Sequence, residues 1–211
     1  MRHAALKVQF DSLEQQHEAS RLGLWLFLAT EYLFFGGLFL AYTVYHLLYP
    51  QAFAEAGKHT NLLCGSINAA LLLTSGLTMS LGVAAIRRGA SDISALWIGL
   101  TILLALAFLG VKGAEYADDI HKHLVPGSAF ALSQVPSAQI FFYLYWLMTA
   151  LHALHVIAGV GFMLIVLWLA KRGKFSPQYH SPVEFAGIYW GFVDVIWIFL
   201  YPLLYLLDRH T

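Results

Sequence analysis

The sequence is poor in cysteine and in charge. Cys64 is the only cysteine among 211 residues, which excludes an internal disulfide and any multi-cysteine metal site or iron–sulfur cluster supplied by this chain alone. Charged residues make up 11% of the chain, whereas soluble domains carry about 25%. The 12 basic and 12 acidic residues cancel, so no net positive charge attracts nucleic acid.

Long apolar runs take the place of the missing charges. Apolar residues are 59% of the chain, and the mean hydropathy is +0.67. A helix needs about 20 mostly apolar residues to cross about 30 Å of hydrocarbon. Because backbone groups in lipid must be satisfied within the protein, such runs are helices. The sequence predicts an all-α bundle of five transmembrane helices at about 22–48, 60–86, 93–115, 138–170 and 183–207. They form one membrane domain, residues 22–211, after a polar tail at 1–21.

The basic residues predict the orientation of this bundle. If five helices alternate in direction, four basic residues lie on one side: Lys58, Lys112, Lys122 and Arg209. Eight lie on the other side: Arg2, Lys7, Arg21, Arg87, Arg88, Lys171, Arg172 and Lys174. Since cytoplasmic loops carry the excess of Lys and Arg, we expect a cytoplasmic N-terminus and an external C-terminus. Because the first 21 residues are polar, we expect no cleavable signal there.

Two carboxylates, Glu31 and Asp194, interrupt the apolar runs. A charge at the centre of a bilayer costs about 2.5–3.5 kcal/mol on insertion scales, so each carboxylate should have a partner or a purpose. Glu31 lies about ten residues, or roughly 15 Å, into the first predicted helix. Each carboxyl is a candidate for a proton-related role or for an interhelical hydrogen bond that fixes packing. Because such bonds contribute only about 0.6 kcal/mol on average, we favour specificity of packing.

The pair His152 and His155 raises the question of metal binding. The residues are three positions apart and are predicted to share one helical face. One helix cannot place two neighbouring residues on opposite faces of a single haem, and copper or zinc would need further ligands. We therefore predict no metal site and expect both histidines to form hydrogen bonds with a neighbouring helix.

Basic residues follow the fourth apolar run at Lys171, Arg172 and Lys174. Such residues can hold anionic lipid headgroups, and they are also typical of any inner loop. Glu184 lies shortly after them and is a candidate ion-pair partner for these cations.

Five segments, in order, resemble subunit III of the haem–copper oxidases, the cytochrome c oxidase family. They are 24–37 (Leu-Trp-Leu-Phe-Leu-Ala-Thr-Glu-Tyr-Leu-Phe-Phe-Gly-Gly), 68–76, 113–116 with its Glu115-Tyr pair, 151–159 with its His-x-x-His, and 189–201 (Tyr-Trp-Gly-Phe-Val-Asp-Val-Ile-Trp-Ile-Phe-Leu-Tyr). The long form of the family has seven helices and this chain starts where the third would begin, so it resembles the short, five-helix bacterial form. Gly191 stands where many relatives have histidine.

The resemblance implies a non-catalytic subunit in a bacterial plasma membrane. The complex would pass electrons from cytochrome c to oxygen and translocate protons. This chain would contact subunit I directly, with subunit II and small subunits nearby, and would stabilise the catalytic subunit and support proton uptake. Haem and copper would be in the partners, with phospholipid bound here. The implied polar scaffold comprises Glu31, Glu115, His152, His155, Glu184 and Asp194.

Two alternatives stay open. Within the family, the partner complex could be a quinol oxidase or a nitric oxide reductase, because other subunits bind the electron donor. Outside it, the chain could be an independent proton-coupled transporter with Glu31, Asp194 and the histidines as a relay. Transporters of that class often show inverted repeats and broken helices, and neither is apparent in the sequence.

Overall fold

The structure is a computed structural model that describes residues 12–172 and 180–207. Those residues form helices and no strand. Five of the helices are long and apolar enough to cross a membrane, which confirms the predicted fold class. The helices are α1 (Leu13–Leu48), α2 (Pro50–Gly57), α3 (Leu62–Arg87), α4 (Ser91–His121), α5 (Ala138–Lys171) and α6 (Ser181–Tyr201), followed by a π-helical turn, Pro202–Leu206.

Several helix ends differ from the sequence-based bounds. Helix α1 begins nine residues before the predicted position 22, because the Ser12 side chain accepts a hydrogen bond from the backbone N–H of Gln15 and caps the helix. Helix α4 continues past the predicted end at 115 to His121. Its charged last turns suit a helix because Asp118 pairs with Lys122 one turn later.

The short helix α2 lies between the first two predicted transmembrane helices, in residues that neither of them includes. Proline is favoured in the first helical turn because its missing N–H has no helical partner there, and Pro50 occupies that position. Phe53 and Ala56 of α2 are fully buried. Pro50 therefore lies where α1 has ended and α2 begins.

Helix α1 is the least buried of the five long helices. About a tenth of its most apolar window is buried inside the chain, against a third or more for the other four. Helices α3 and α4 form an antiparallel hairpin, with the hydroxyls of Thr78 and Thr101 2.8 Å apart. Helix α6 lies against α3 and α5. Helices α3–α6 and the π-helical turn therefore form the more buried part of the bundle.

Glycines allow α6 and its extension to approach the neighbouring helices. A Cβ atom added to Gly76 of α3 would overlap the Asp194 carboxylate, and one on Gly159 of α5 would lie 2.9 Å from the Trp190 ring. A Cβ on Gly65 would meet the Tyr205 ring at 2.8 Å. Small residues at these positions bring helices close enough for dispersion contacts, which drive association in lipid.

The π-helical turn changes the course of the chain after α6. It begins at Pro202, which lacks the N–H that a continuing α-helix would use. The Tyr42 hydroxyl donates to the Leu203 carbonyl at 2.6 Å, and the Thr60 hydroxyl, which donates to the Gly57 carbonyl at 2.8 Å, also lies 3.3 Å from the Leu204 carbonyl. These bonds hold carbonyls that the changed turn leaves available, and the turn carries Tyr205 into the interior.

Candidate functional site

A buried lysine lies at the centre of the most extensive polar cluster among the described residues. The ammonium of Lys112 donates to Glu115 Oε2 at 3.0 Å, to the Tyr145 hydroxyl at 3.0 Å and to the Tyr205 hydroxyl at 2.8 Å. These three bonds use all three protons of the ammonium. The lysine side chain is only 2% exposed, so its charge is compensated within the protein.

Two carboxylates complete this cluster. Glu115 Oε1 lies 2.8 Å from the Tyr205 hydroxyl and 3.1 Å from the Tyr145 hydroxyl. Asp119 Oδ2 lies 2.8 Å from the Tyr145 hydroxyl. All members are almost fully buried. We call the five residues Lys112, Glu115, Asp119, Tyr145 and Tyr205 the Lys112 network.

Helix geometry places the charged members side by side. Lys112, Glu115 and Asp119 follow the i, i+3, i+7 spacing, which puts them on one face of α4. Helix α5 supplies Tyr145, and the π-helical turn supplies Tyr205. Aromatic rings surround the ammonium, which lies 4.6 Å from the Tyr145 ring centroid, so cation–π attraction adds to the hydrogen bonds.

The sequence places Lys112 near the far end of the third predicted helix, among the outer-side cations, and does not predict its burial. In the structure, the lysine lies within α4, nine residues before the end of the helix, and is buried. Glu115 was identified as a candidate, but Asp119, Tyr145 and Tyr205 were not. The detectable signal was a Lys-x-x-Glu-x-x-x-Asp pattern on a predicted helix, because that spacing places opposite charges on one face.

Glu31 is paired with one of the two candidate histidines. The His155 Nε2 atom lies 3.1 Å from Glu31 Oε2, and its Nδ1 atom lies 2.8 Å from the Leu151 carbonyl oxygen. A carbonyl oxygen only accepts, so Nδ1 carries a proton. The bond between Nε2 and Glu31 then needs a proton from either a neutral carboxyl or an imidazolium. The pair therefore holds one proton between α1 and α5.

His152 does not share the environment of His155, although the two residues are three positions apart on α5. Its ring lies against Trp197 and Phe108, with centroid distances of 5.1 and 5.6 Å. It is fully buried, and neither ring nitrogen has a hydrogen-bond partner within the described residues. The hydrogen bond to a neighbouring helix that the sequence predicted is present for His155 and not for His152.

Asp194 is buried against α3 beside Gly76, and its Oδ1 atom has no hydrogen-bond partner in the part of the chain that the structure describes. The side chain thus has no basic neighbour among the described ion pairs. This placement suits a carboxyl packed at a close helix contact.

Glu184 pairs with a cation other than those expected. Its Oε1 atom accepts a hydrogen bond from Arg87 Nε at 2.7 Å and lies 3.3 Å from His180 Nε2. The predicted partners are placed elsewhere: Lys171 is exposed, Arg172 stacks over the Trp168 ring at 3.7 Å, and Lys174 lies outside the described residues. The Arg87–Glu184 pair joins the ends of α3 and α6.

Residues 12–172 and 180–207 contain no candidate metal site. Such a site would need three or more histidine, cysteine, aspartate or glutamate side chains in a suitable geometry. The polar residues instead form separate clusters. The Lys112 network lies near one end of the bundle, and the Arg87–Glu184 pair lies at the other end, where α3 ends and α6 begins. The Glu31–His155 pair lies between α1 and α5.

The chain is similar to known proteins over most of its length. The sequence model of the family described as cytochrome c oxidase subunit III matches residues 12–208. Cytochrome c oxidase subunit 3 of Thermostichus vulcanus is 33% identical over 205 residues, which cover 96% of this chain and 94% of that protein. The protein of the same name from Synechocystis sp. is 34% identical, with coverages of 88% and 74%. Quinol oxidase subunit 3 of Bacillus subtilis is 30% identical, with 98% of each chain covered.

Proposed function

Since this chain belongs to the cytochrome c oxidase subunit III family, we propose that it is the non-catalytic subunit III of a haem–copper terminal oxidase. The observation that carries the proposal is the family match over residues 12–208, which includes all five long helices. Because the match extends over the whole helical bundle, it supports the complete role of such a subunit rather than the presence of one shared motif. It argues against the independent transporter.

The proposed complex reduces oxygen with electrons from cytochrome c and translocates protons. Haem and copper belong to its other subunits, with subunit I in direct contact with this chain and subunit II and small subunits in the same assembly. The large apolar side chains exposed along the long helices suit a protein surrounded by lipid and by other membrane helices. We place the complex in a bacterial plasma membrane, with the N-terminus of this chain in the cytoplasm.

The proposed contribution of this subunit is to stabilise the catalytic subunit and to support proton uptake. Glu31 and His155 are the residues best suited to a proton-related role, because their 3.1 Å contact requires a shared proton. Asp194, Glu184 and His152 are proposed as scaffold, since they lie at helix contacts. Arg172, stacked on Trp168, and Lys171 are candidates for contact with lipid headgroups, together with Lys174.

The test is purification of the tagged chain from native membranes in a mild detergent, followed by mass spectrometry and haem spectroscopy. We expect a many-helix haem–copper subunit to be recovered with the chain in constant ratio. Recovery of the chain alone, under conditions that keep known oxidases intact, would contradict the proposal and return attention to a transporter.

A second candidate is subunit III of a quinol oxidase. The observation that favours it is the 30% identity to the Bacillus subtilis protein across 98% of both chains. The subunit II recovered in the same purification separates the two, because a copper-bearing subunit II indicates cytochrome c as donor. A nitric oxide reductase as the partner rests on family resemblance alone, and recovery of an oxidase subunit I would exclude it.

A further inference from the structure

The Lys112 network contains one more close polar contact than the protons of its ammonium and phenol groups can bridge. Six contacts of 2.8–3.1 Å join its members: three from Lys112, two between the tyrosine hydroxyls and Glu115, and one between Tyr145 and Asp119. The ammonium has three protons and each phenol has one, which makes five. A sixth proton is needed, because two oxygen atoms 2.8 Å apart without a hydrogen between them repel each other.

The contact that lacks a proton involves the Tyr145 hydroxyl. Its hydroxyl lies within hydrogen-bond distance of Glu115 Oε1 and of Asp119 Oδ2, yet it has a single proton to donate. Its oxygen already accepts from Lys112 and has a second lone pair available. If the Asp119 carboxyl is protonated, it donates to that lone pair, and Tyr145 donates to Glu115. Every one of the six contacts then contains one hydrogen.

The charge count leads to the same result independently. One lysine and two ionised carboxylates would leave a net negative charge among side chains that are almost fully buried. An uncompensated buried charge costs far more than a paired one. Glu115 is the carboxylate that keeps its charge, because it accepts directly from the ammonium and from both phenols. Asp119 has no direct bond to Lys112 among the described contacts.

We propose that the Lys112 network is a proton-binding site that holds one exchangeable proton on Asp119, bonded to the Tyr145 hydroxyl. The titratable groups around Asp119 are Glu115, Lys112 and Asp118 of its own helix and Tyr145 of α5. Beyond them lie Tyr116 and Lys122 at the end of α4, Tyr205 of the π-helical turn and Cys64 of α3.

The proton has a short route to water. Helix α4 ends two residues after Asp119, at His121. The neighbouring Asp118 and Lys122 side chains are 42% and 53% exposed. Exchange therefore takes place at the end of the bundle opposite to Arg87 and Glu184, and this site is separate from the Glu31–His155 pair.

The test is infrared difference spectroscopy of the purified complex in ordinary and heavy water. Asp119→Asn is compared with wild type, and Asp118→Asn is the matched control because Asp118 is adjacent and exposed. We expect a protonated-carboxyl band that shifts in heavy water, is lost in Asp119→Asn and remains in Asp118→Asn. Asparagine mimics the neutral acid, so this variant should assemble.

Three results would overturn the proposal. One is identical carboxyl spectra for wild type and Asp119→Asn, which would show an ionised aspartate. Another is a band lost in Glu115→Gln but retained in Asp119→Asn, which would place the proton on Glu115. If Asp119→Asn does not assemble, Tyr145→Phe decides the matter. Removal of the hydroxyl that Asp119 contacts should move the band to higher frequency, and an unmoved band would count against the site.

Discussion

Two ion pairs at opposite ends of the bundle show how differently the same chemistry behaves in water and in the protein interior. Arg87 and Glu184 are only 2.7 Å apart, but their side chains are 61% and 29% exposed. Lys112 and Glu115 are 3.0 Å apart and 2% and 0% exposed. The shorter contact is therefore the one that solvent screens, so distance alone does not rank the two pairs.

The two ion pairs differ in the free-energy cost of removing one partner. An exposed pair contributes about 0–1 kcal/mol, because water solvates either residue alone. A buried charge has only its neighbours, and removal of one partner typically costs about 3–5 kcal/mol. The Lys112 network also joins α4, α5 and the π-helical turn, whereas the Arg87–Glu184 pair joins only the ends of two helices.

Lys112→Met is expected to have the largest effect, because it leaves the Glu115 carboxylate buried without its cation. We expect a destabilisation of about 3–5 kcal/mol and therefore much less of this chain in the purified complex. The measurement is the ratio of this chain to subunit I after solubilisation, together with thermal unfolding of the complex. Lys122→Met is the matched control, since Lys122 is half exposed beside Asp118.

A double variant sharpens this prediction. Lys112→Met with Glu115→Gln removes both opposite charges of the buried pair, so it should recover part of the stability that the single variant loses. Equal losses in the single and double variants would mean that shape, rather than charge, accounts for the role of Lys112. Equal losses for Lys112→Met and Lys122→Met would remove the distinction between buried and exposed pairs.

The next largest effect on stability is expected for Gly159→Ala, which changes a close apolar helix contact and no charge. Gly159→Ala places a Cβ 2.9 Å from the buried Trp190 ring, whereas Gly161→Ala on the same helix meets no atom within 4 Å. Overpacking typically costs about 1–3 kcal/mol, while alanine is favoured over glycine in helices by up to about 1 kcal/mol. Thermal unfolding should show that Gly159→Ala is the less stable of the two. Equal transitions would show that the α5–α6 contact can relax.

The five long helices could be predicted from the sequence, whereas the Lys112 network could not. Apolar runs of membrane length have few alternatives to a helix, so the five long helices were predictable. Lys112 follows an apolar run near the predicted end of its helix, and from sequence a lysine in that position is expected to reach the membrane surface. Its burial depends on Tyr145 from α5 and on Tyr205, which the π-helical turn brings inward. Such contacts between distant segments have no local pattern.

The histidines illustrate the same limit at shorter range. Their three-residue spacing predicted a shared face, but His155 contacts Glu31 of α1 and His152 lies between Phe108 and Trp197. Two positions on one side of a helix can face different neighbours when several helices surround it. Spacing predicts which residues are adjacent along a helix, and packing determines what each one contacts.

Glu31→Gln should have a smaller effect on stability than either buried substitution. The glutamine amide can still donate to His155, and interhelical hydrogen bonds average about 0.6 kcal/mol. We expect normal haem content and near-normal unfolding, but a shorter active lifetime under sustained turnover if the pair supports proton uptake. Glu55→Gln is the control, because Glu55 is an exposed partner of Lys58. An unchanged lifetime would leave Glu31 with a packing role only.

Glu184→Gln is expected to have the smallest effect, and its salt dependence tests the comparison between the two ends of the bundle directly. The loss should be about 0–1 kcal/mol. Since exposed charges are screened over about 10 Å at 0.1 M salt and over about 3 Å at 1 M, thermal unfolding of Glu184→Gln should approach that of wild type as salt rises. The deficit of Lys112→Met should persist, because solvent ions do not reach a side chain that is 2% exposed. A salt-independent deficit in Glu184→Gln would mean that Arg87 and Glu184 are shielded from solvent in the assembled complex. The end of the bundle that is exposed in the isolated chain would then be covered by a partner subunit or a lipid.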